Sequence, residues 1–405
     1  MTKYYIIAGE ASGDLHGSNL IKGLKSVEPD CKIRCWGGEL MQSAGGELVR
    51  HYKESAVMGF WEVLLNIRKI MGNLKRCKED ILAWQPDVVI LIDYPGFNFR
   101  IAQFAHDKGF KVFYYIAPKI WAWKERRGAR LQKYVDKLFI IFPFEIDYFK
   151  KRWNIDAIYR GNPLLDSVEQ YRYINESAAD FAARLNSNTG LAQKVDAKMF
   201  ESGIALLAGS RRGEIGFLLP RMLDVMLLFE HNHFFLAAAP SIESSLYNSI
   251  IEKHLSSRGL DSSQKEALWR RLTILYGETY SIMKHCKAAI VNSGTASLEA
   301  ALIGIPQVVC YGASELTYII AKHLVKGIKY ISLANLILDK LIFKELIQHN
   351  CTAEKIAEEL NMLLDNAPYR AAMQQDYSKV RELLGRGGAS RAVAEAIVEE
   401  VKKRE

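Results

Sequence analysis

The sequence predicts an α/β protein built from two doubly wound parallel sheets, with a helical C-terminal tail. Three observations carry that expectation. The chain has 405 residues, more than the ~100–200 of one typical domain. Short β-branched or aromatic runs alternate with helix-length segments in two separate blocks, a pattern that builds parallel sheets covered on both faces. From Ala353 onward the text is helical only.

In the first block, strands are expected at Tyr4–Ala8, Lys32–Trp36, Val88–Asp93, Lys111–Ile116, Lys137–Phe142 and Ala157–Arg160. Helical periodicity lies between them, as in Leu15–Val27 and Phe99–Lys108. Gly161-Asn162-Pro163 breaks the alternation, and the polar text through Asn186–Gly190 reads as a linker region. The second block predicts strands at Ile204–Ala208, His233–Ala239, Leu272–Tyr276, Ala288–Asn292 and Gln307–Tyr311. Helices at Ala353–Leu364, Pro368–Leu384 and Ser390–Lys403 close the chain. The expected division is therefore an N-terminal domain over 1–165, a linker over 166–202, a C-terminal domain over 203–367 and helices over 368–405. Open α/β sheets bind ligands at the carboxyl ends of their strands, so two such domains suggest facing sites across a cleft.

Composition narrows the function. Hydrophobic residues at 49% and charged residues at 25% describe a globular chain rather than a disordered one. The net charge of +8 favours phosphates, nucleic acid or anionic lipid as partners. Six cysteines, only Cys31 and Cys35 close together, with no metal-ligand spacing, read as reduced buried thiols of a cytoplasmic protein. The opening apolar run stops at Gly9-Glu10, too short for a signal peptide. No apolar stretch approaches the ~20 residues that a membrane-spanning helix needs.

Several motifs could carry chemistry. Ser293-Gly294-Thr295 lies between a strand and a helix, where unpaired amides at the positive end of a dipole make a diphosphate cradle. Glu299 sits one turn further in, within reach of ribose hydroxyls. A plain helix cap explains the same spacing. Gly209-Ser210-Arg211-Arg212 repeats the arrangement, with arginines able to neutralise a leaving phosphate. Neither a Walker A nor a GxGxxG sequence is present, which counts against an ATPase or a dehydrogenase. Ala8–Asp14, containing Ser12, forms a glycine-bearing turn after the first strand. Asp93 ends a strand, where a carboxylate can serve as general base or simply shape a turn. Pro118–Lys124, followed by Arg126, Arg127 and Arg130, interleaves tryptophans with cations, suiting a sugar phosphate, a lipid headgroup or nucleic-acid bases. In Val57–Leu74, apolar residues recur at helical spacing beside Arg68, Lys69, Lys75 and Arg76, a pattern of either a core helix or one lying in a bilayer surface.

These stretches together resemble one family, the lipid-A-disaccharide synthases, inverting glycosyltransferases of bacterial lipid A assembly. The matching segments are AGEASGD at 8–14, AVMGFWEVL at 56–64, IDYPGFN at 92–98, PKIWAWKERR at 118–127, GNPLLD at 161–166, GSRRGEI at 209–215 and SGTASLEA at 293–300. KHLVKGIKYISLANLI at 322–337 and ELIQ at 345–348 complete a series that runs through nearly the whole chain. The resemblance implies a two-domain GT-B fold and the joining of UDP-2,3-diacylglucosamine to 2,3-diacylglucosamine 1-phosphate. It implies Asp93 as the essential aspartate. It assigns the UDP-sugar to Arg211, Ser293, Gly294, Thr295, Glu299 and Asn335, with Gly277 and Thr279 as looser members. The acceptor and its phosphate fall to Ser12, Lys124, Arg126 and Arg127. Three positions depart from the commoner pattern: Ala208 and Ala334 stand where proline is frequent, and Gly96 where many members carry a second aspartate. That last change leaves Asp93 as the sole base candidate of its loop.

The expected reaction needs no cofactor, and the absence of any Asp-x-Asp pair disfavours a metal-held diphosphate. Acylated substrates favour a bilayer, at roughly 0.8 kcal/mol per buried CH₂, so a peripheral position on the cytoplasmic face of the inner membrane is expected. Val57, Met58, Phe60, Trp61 and Leu64 are the expected membrane contacts. Nucleic acid is not an expected partner. The tail Pro368–Lys403 either packs back on the N-terminal domain or exchanges within a homodimer. A UDP-sugar epimerase of the same architecture is the alternative enzyme, and a non-catalytic lipid- or RNA-binding protein the alternative outside enzymology.

Overall fold

The computed structural model describes residues 1–55, 67–122, 124–187, 191, 193–312 and 329–403. They form two compact units, Met1–Asp166 with Leu384–Glu405, and Ser167–Leu383.

The first unit holds a seven-stranded sheet. Its strands are β1 (Lys3–Ala8), β2 (Lys32–Gly37), β3 (Glu47–His51), β4 (Val88–Ile92), β5 (Lys111–Tyr115), β6 (Lys137–Ile140) and β7 (Ile158–Tyr159). The order is β3-β2-β1-β4-β5-β6-β7, and every pairing is parallel. Every residue of β4 is buried, because helices cover both faces and its run of Val, Ile and Leu needs no polar side. Strand order reverses between β1 and β4, where Tyr4–Ala8 lies in register with Val88–Ile92. The loops leaving those two strands therefore share the crevice in which such sheets place ligands. The short edge strand β3 was not anticipated: no residue of Glu47–His51 is fully buried, so its sequence lacks the apolar run that marks the inner strands.

The helix Ala389–Lys402 belongs to this first unit although it ends the chain. Its buried face, including Val393, Ala394, Ile397 and Val401, packs against the first helix, Ala11–Val27. Both ends are held electrostatically. The buried Asp166 carboxylate accepts the backbone N–H groups of Gly388, Ala389 and Ser390. At the other end Lys111 donates to the carbonyls of Glu400 and Val401, each at 3.3 Å. An anion at a helix N-terminus and a cation at its C-terminus both complement the dipole.

The second unit holds six parallel strands: β8 (Ile204–Leu207), β9 (Phe234–Ala238), β10 (Leu272–Tyr276), β11 (Ala288–Asn292), β12 (Gln307–Tyr311) and β13 (Glu345–Ile347). Their order is β10-β9-β8-β11-β12-β13, with the reversal between β8 and β11. The three-residue β13 was also not anticipated. The segment read as a linker is structured. Its helix Ala178–Asn186 stacks Phe181 on Phe200 and His285, and Arg184 bridges Glu176 and Glu278. Both anchors lie within the second unit. The helix expected over Val57–Leu74 is described from Ile67 and continues past Leu74 to Trp84. Among the described residues, no helix is long and apolar enough to cross a membrane.

Candidate active site

Asp93 leaves the sheet one residue beyond β4 and is exposed. The sequence reading ended that strand at Asp93; in the structure Asp93 and Tyr94 instead adopt left-handed backbone, with φ of 42° and 48°. Such a conformation costs roughly 1–2 kcal/mol per non-glycine residue, so something must hold it. Two side chains do. Asn98 Nδ2 donates to the Asp93 carbonyl at 2.8 Å and to that of Ile92 at 3.2 Å. The Tyr114 hydroxyl, from β5, donates to the same Asp93 carbonyl at 2.6 Å. Pro95 then opens the helix Pro95–Asp107 at its first position, where its missing N–H costs nothing.

The neighbouring loop after β5 is strained as well. Ile116 has φ of 60° and Lys124 of 57°. Four of the eight non-glycine residues with positive φ among those described thus gather at the ends of β4 and β5 and in the loop after β5. Strain of this kind collects where a fold holds side chains for chemistry. Across the crevice, Gly9 of the β1 loop admits the Tyr94 ring, since a Cβ there would lie 2.2 Å from it. Ser12 is exposed in the first turn of the helix that follows.

The basic loop separates into two kinds of cation. Lys124 and Arg126 are exposed, and desolvation followed by the Arg127 charge lowers the Lys124 pKa. Arg127 is half-buried with its guanidinium 5.7 Å from the Phe99 ring, and desolvation lowers its pKa too. Arg130 lies 5.1 Å from the same ring and donates to the Phe99 carbonyl. Trp121 and Ala122 are half-buried, while Trp123 lies outside the described residues. So do Val57, Met58, Phe60, Trp61 and Leu64, the expected membrane contacts.

In the second unit, the strand reversal brings both glycine-bearing turns together. Gly209 follows β8 with φ of 109°, and a Cβ there would meet Glu214 Oε2 at 2.6 Å and Asn292 Nδ2, at the end of β11, at 3.0 Å. The two turns differ in state. Glu214 Oε2 accepts the backbone N–H of Ser210 at 3.1 Å and of Arg211 at 3.3 Å. The first turn is therefore already filled by an internal carboxylate rather than open, as the sequence suggested. Arg211 is exposed and pairs with Glu214 at 3.6 Å. In the second turn, Ser293 N is held by the Cys310 carbonyl at 2.8 Å. Gly294 and Thr295 are exposed at the start of the helix Thr295–Ile303, where no side chain caps the first amides.

Glu299 is half-buried, accepts the Tyr280 hydroxyl at 2.5 Å, and is raised above the usual carboxylate range by desolvation. Gly277 turns with φ of 74° and Thr279 opens the short helix carrying Tyr280. Asn335 stands apart from the other expected donor residues. It is wholly buried, and its amide is consumed internally: Nδ2 donates to Phe343 O and Glu345 Oε1, and Oδ1 accepts from Ile342 N and Phe343 N. It fastens the helix Leu333–Leu338 to the segment entering β13. Sequence reasoning missed Glu214, Asn98 and Tyr114; the first two stand inside the matched segments, but nothing in their spacing shows that they hold backbone. Among the described residues, no group of three or more His, Cys, Asp or Glu is placed to hold a metal ion.

Comparison with known proteins places the chain in a family. A family model described as lipid-A-disaccharide synthetase matches residues 4–401. A lipid-A-disaccharide synthase of Geobacter metallireducens is 35% identical over 399 residues, covering 98% of this chain and 97% of the relative. One from Syntrophus aciditrophicus is 34% identical over 402 residues, covering 98% and 97%. Among solved structures, the UDP-GlcNAc 2-epimerase of Neisseria meningitidis bound to UDP-GlcNAc superposes with a TM-score of 0.67 at 13% identity, covering 98% of this chain and 100% of that one. At that identity the likeness speaks for the GT-B fold alone.

Proposed function

This chain belongs to the lipid-A-disaccharide synthase family, and from that premise we propose that it joins UDP-2,3-diacylglucosamine to 2,3-diacylglucosamine 1-phosphate. It is a glycosyltransferase, and the products of the proposed reaction are a β-1,6 disaccharide 1-phosphate and UDP. The observation that carries the chemistry is Asp93, an exposed carboxylate on strained backbone that two side chains hold in place. Asp93 takes the proton of the acceptor's 6-hydroxyl as that oxygen bonds to the anomeric carbon. The carbon–UDP bond breaks on the opposite face, which inverts the anomeric centre. A positioned base of this kind is worth ~10²–10⁴ in rate.

Charge developing on UDP is met in the second unit. The amides at Gly294–Thr295, exposed at the start of the helix Thr295–Ile303, and the Arg211 guanidinium suit a diphosphate. Glu299, Gly277 and Thr279 line the approach as ribose and base contacts. Asn335 acts indirectly, by fixing the segment that enters β13. Ser12, Lys124, Arg126 and Arg127 receive the acceptor and its phosphate. The reaction proceeds without metal, so activity that a chelator abolishes and Mg²⁺ or Mn²⁺ restores would refute that part. We place the enzyme on the cytoplasmic face of the inner membrane, docked through Phe60 and Trp61 with the basic residues of 124–130. Unchanged vesicle binding at low salt by Phe60→Ser/Trp61→Ser would remove the docking role.

The direct test follows UDP and lipid products by mass spectrometry, with and without the monosaccharide phosphate acceptor. Disaccharide phosphate formed with wild type and lost with Asp93→Asn supports both reaction and base. UDP release or sugar isomerisation without acceptor points to an epimerase instead.

A further inference from the structure

Glu145 is the least exposed glutamate among the described residues of the first unit, 1% accessible, and no step of the proposed reaction uses it. It sits at the start of the helix Phe144–Trp153, just beyond β6. One carboxylate oxygen accepts the Trp121 indole N–H at 2.9 Å. The other accepts the backbone N–H of Phe142 at 3.1 Å and of Ile141 at 3.3 Å. The carboxylate therefore joins the end of β6 to the loop that leaves β5. A buried carboxylate normally carries a stabilising cation or forms part of a site; this one is met by three N–H donors.

What the carboxylate holds is the loop Pro118–Trp121. It follows Ile116, a β-branched residue at φ of 60°, a conformation that would relax without restraint. Trp121 stands edge-on to Phe144 at 5.1 Å, and Phe144 stacks on Phe142 at 5.6 Å. Lys119 lies over the same floor, its Nζ 5.9 Å from the Phe142 ring. Lys119 is exposed by area, yet the protein around its ammonium group lowers its pKa, opposed by the charges of Asp93 first and Glu145 second. The loop thus carries a cation within the field of the candidate base.

We propose that Glu145 is a positioning residue for the transfer reaction: through Trp121 it holds the strained, Lys119-bearing loop that leaves β5 next to the strand end carrying Asp93, Ile92 being in register with Tyr115. This rests on the reading of Asp93 as base. Hydrogen bonds to a charged or partly charged acceptor are worth enough to hold a strained loop in one conformation. The opposite charges of Lys119 and Asp93 attract one another.

The test is a double-mutant cycle on the full chain, with Glu145→Gln, Trp121→Phe and the pair. Trp121→Phe keeps an aromatic ring at the position and removes the indole donor, so it guards against a Glu145 variant that fails to fold. Each single change should lower kcat with acceptor about ten-fold, leave UDP affinity measured by calorimetry unchanged, and the double change should do no more than the worse single. Additive losses, or wild-type kcat in a folded Glu145→Gln, overturn the proposal. So does a loss of UDP affinity, which a general structural defect would cause. Asp93→Asn, run alongside, separates the two ideas. Full activity there removes the base itself, whereas an inactive Asp93→Asn beside a fully active Glu145→Gln removes only the positioning role.

Discussion

The two strand-reversal points of this molecule solve the same geometric problem with opposite residues. In the first unit the loop after β4 leaves the sheet through Asp93 and Tyr94, non-glycine residues in left-handed backbone. In the second the loops leave through Gly209 and Gly294, of which Gly209 has φ of 109°. The difference follows from what each place offers. A site that works with a side chain cannot use glycine, so it accepts strain and braces it, here with Asn98 and Tyr114. A site that works with backbone amides loses nothing by giving up the side chain, and glycine brings the amides closest to a ligand.

That contrast breaks if strain at Asp93 serves stability rather than chemistry. Asp93→Gly is the sharpest probe. Transfer activity should fall ~10²–10⁴-fold, while thermal stability stays level or rises by about 1 kcal/mol as the left-handed backbone relaxes. A loss of stability together with activity would make the aspartate a structural turn former. The mirror experiment is Gly209→Ala. Here the new Cβ presses on Glu214 and Asn292, and we expect about 1–3 kcal/mol of destabilisation with a weaker UDP affinity by calorimetry. Unchanged UDP binding would remove that turn from the donor site.

Asn335→Ala sharpens the division within the second unit. Four hydrogen bonds vanish from a wholly buried position, costing about 1–3 kcal/mol for each group left unpaired. Chemical denaturation should register that loss. UDP affinity of the protein that remains folded should hold, and a selective loss of affinity would return Asn335 to direct contact. The last test is a pH slope. Desolvation pushes the Glu145 carboxyl up to about 7 from 4.5. A raised folded pKa means that the native state holds the proton more tightly than the unfolded chain does. The associated stability is complete below pH 4.5 and is lost as pH rises through about 7. Wild type should show that decline across the window, and Glu145→Gln should flatten it.

Much of this was legible in the sequence because it depends on local pattern. The buried strands, the βα turns and Asp93 at a strand end all follow from period and punctuation. The edge strands β3 and β13 did not, since a half-buried strand such as Glu47–His51 carries no continuous apolar run. Nor did the occupied state of the Gly209 turn. Glu214 stands where any helix might place an acid, and only the fold brings its oxygen to Ser210 and Arg211. The internal partners of Asn335 at 342–345 were hidden for the complementary reason: a polar residue in a matched motif reads as a ligand contact, and its spacing says nothing of the backbone it holds. Glu145 and Trp121 are 24 residues apart, and nothing in either neighbourhood announces that they meet.

The terminal helix held by Asp166 has a consequence for how the molecule is made. The unit bearing Asp93 needs residues from both extremes of the chain, with all of Ser167–Leu383 lying between. On a ribosome adding ~5–20 residues per second, the first sheet waits roughly ten to forty seconds for its last cover. During that wait the face of the first helix stands bare, and the second unit, though later in the text, is complete in sequence before the first. Nascent chains stalled before Ala389 should therefore engage chaperones through the N-terminal half, and the order of birth should differ from the order of completion.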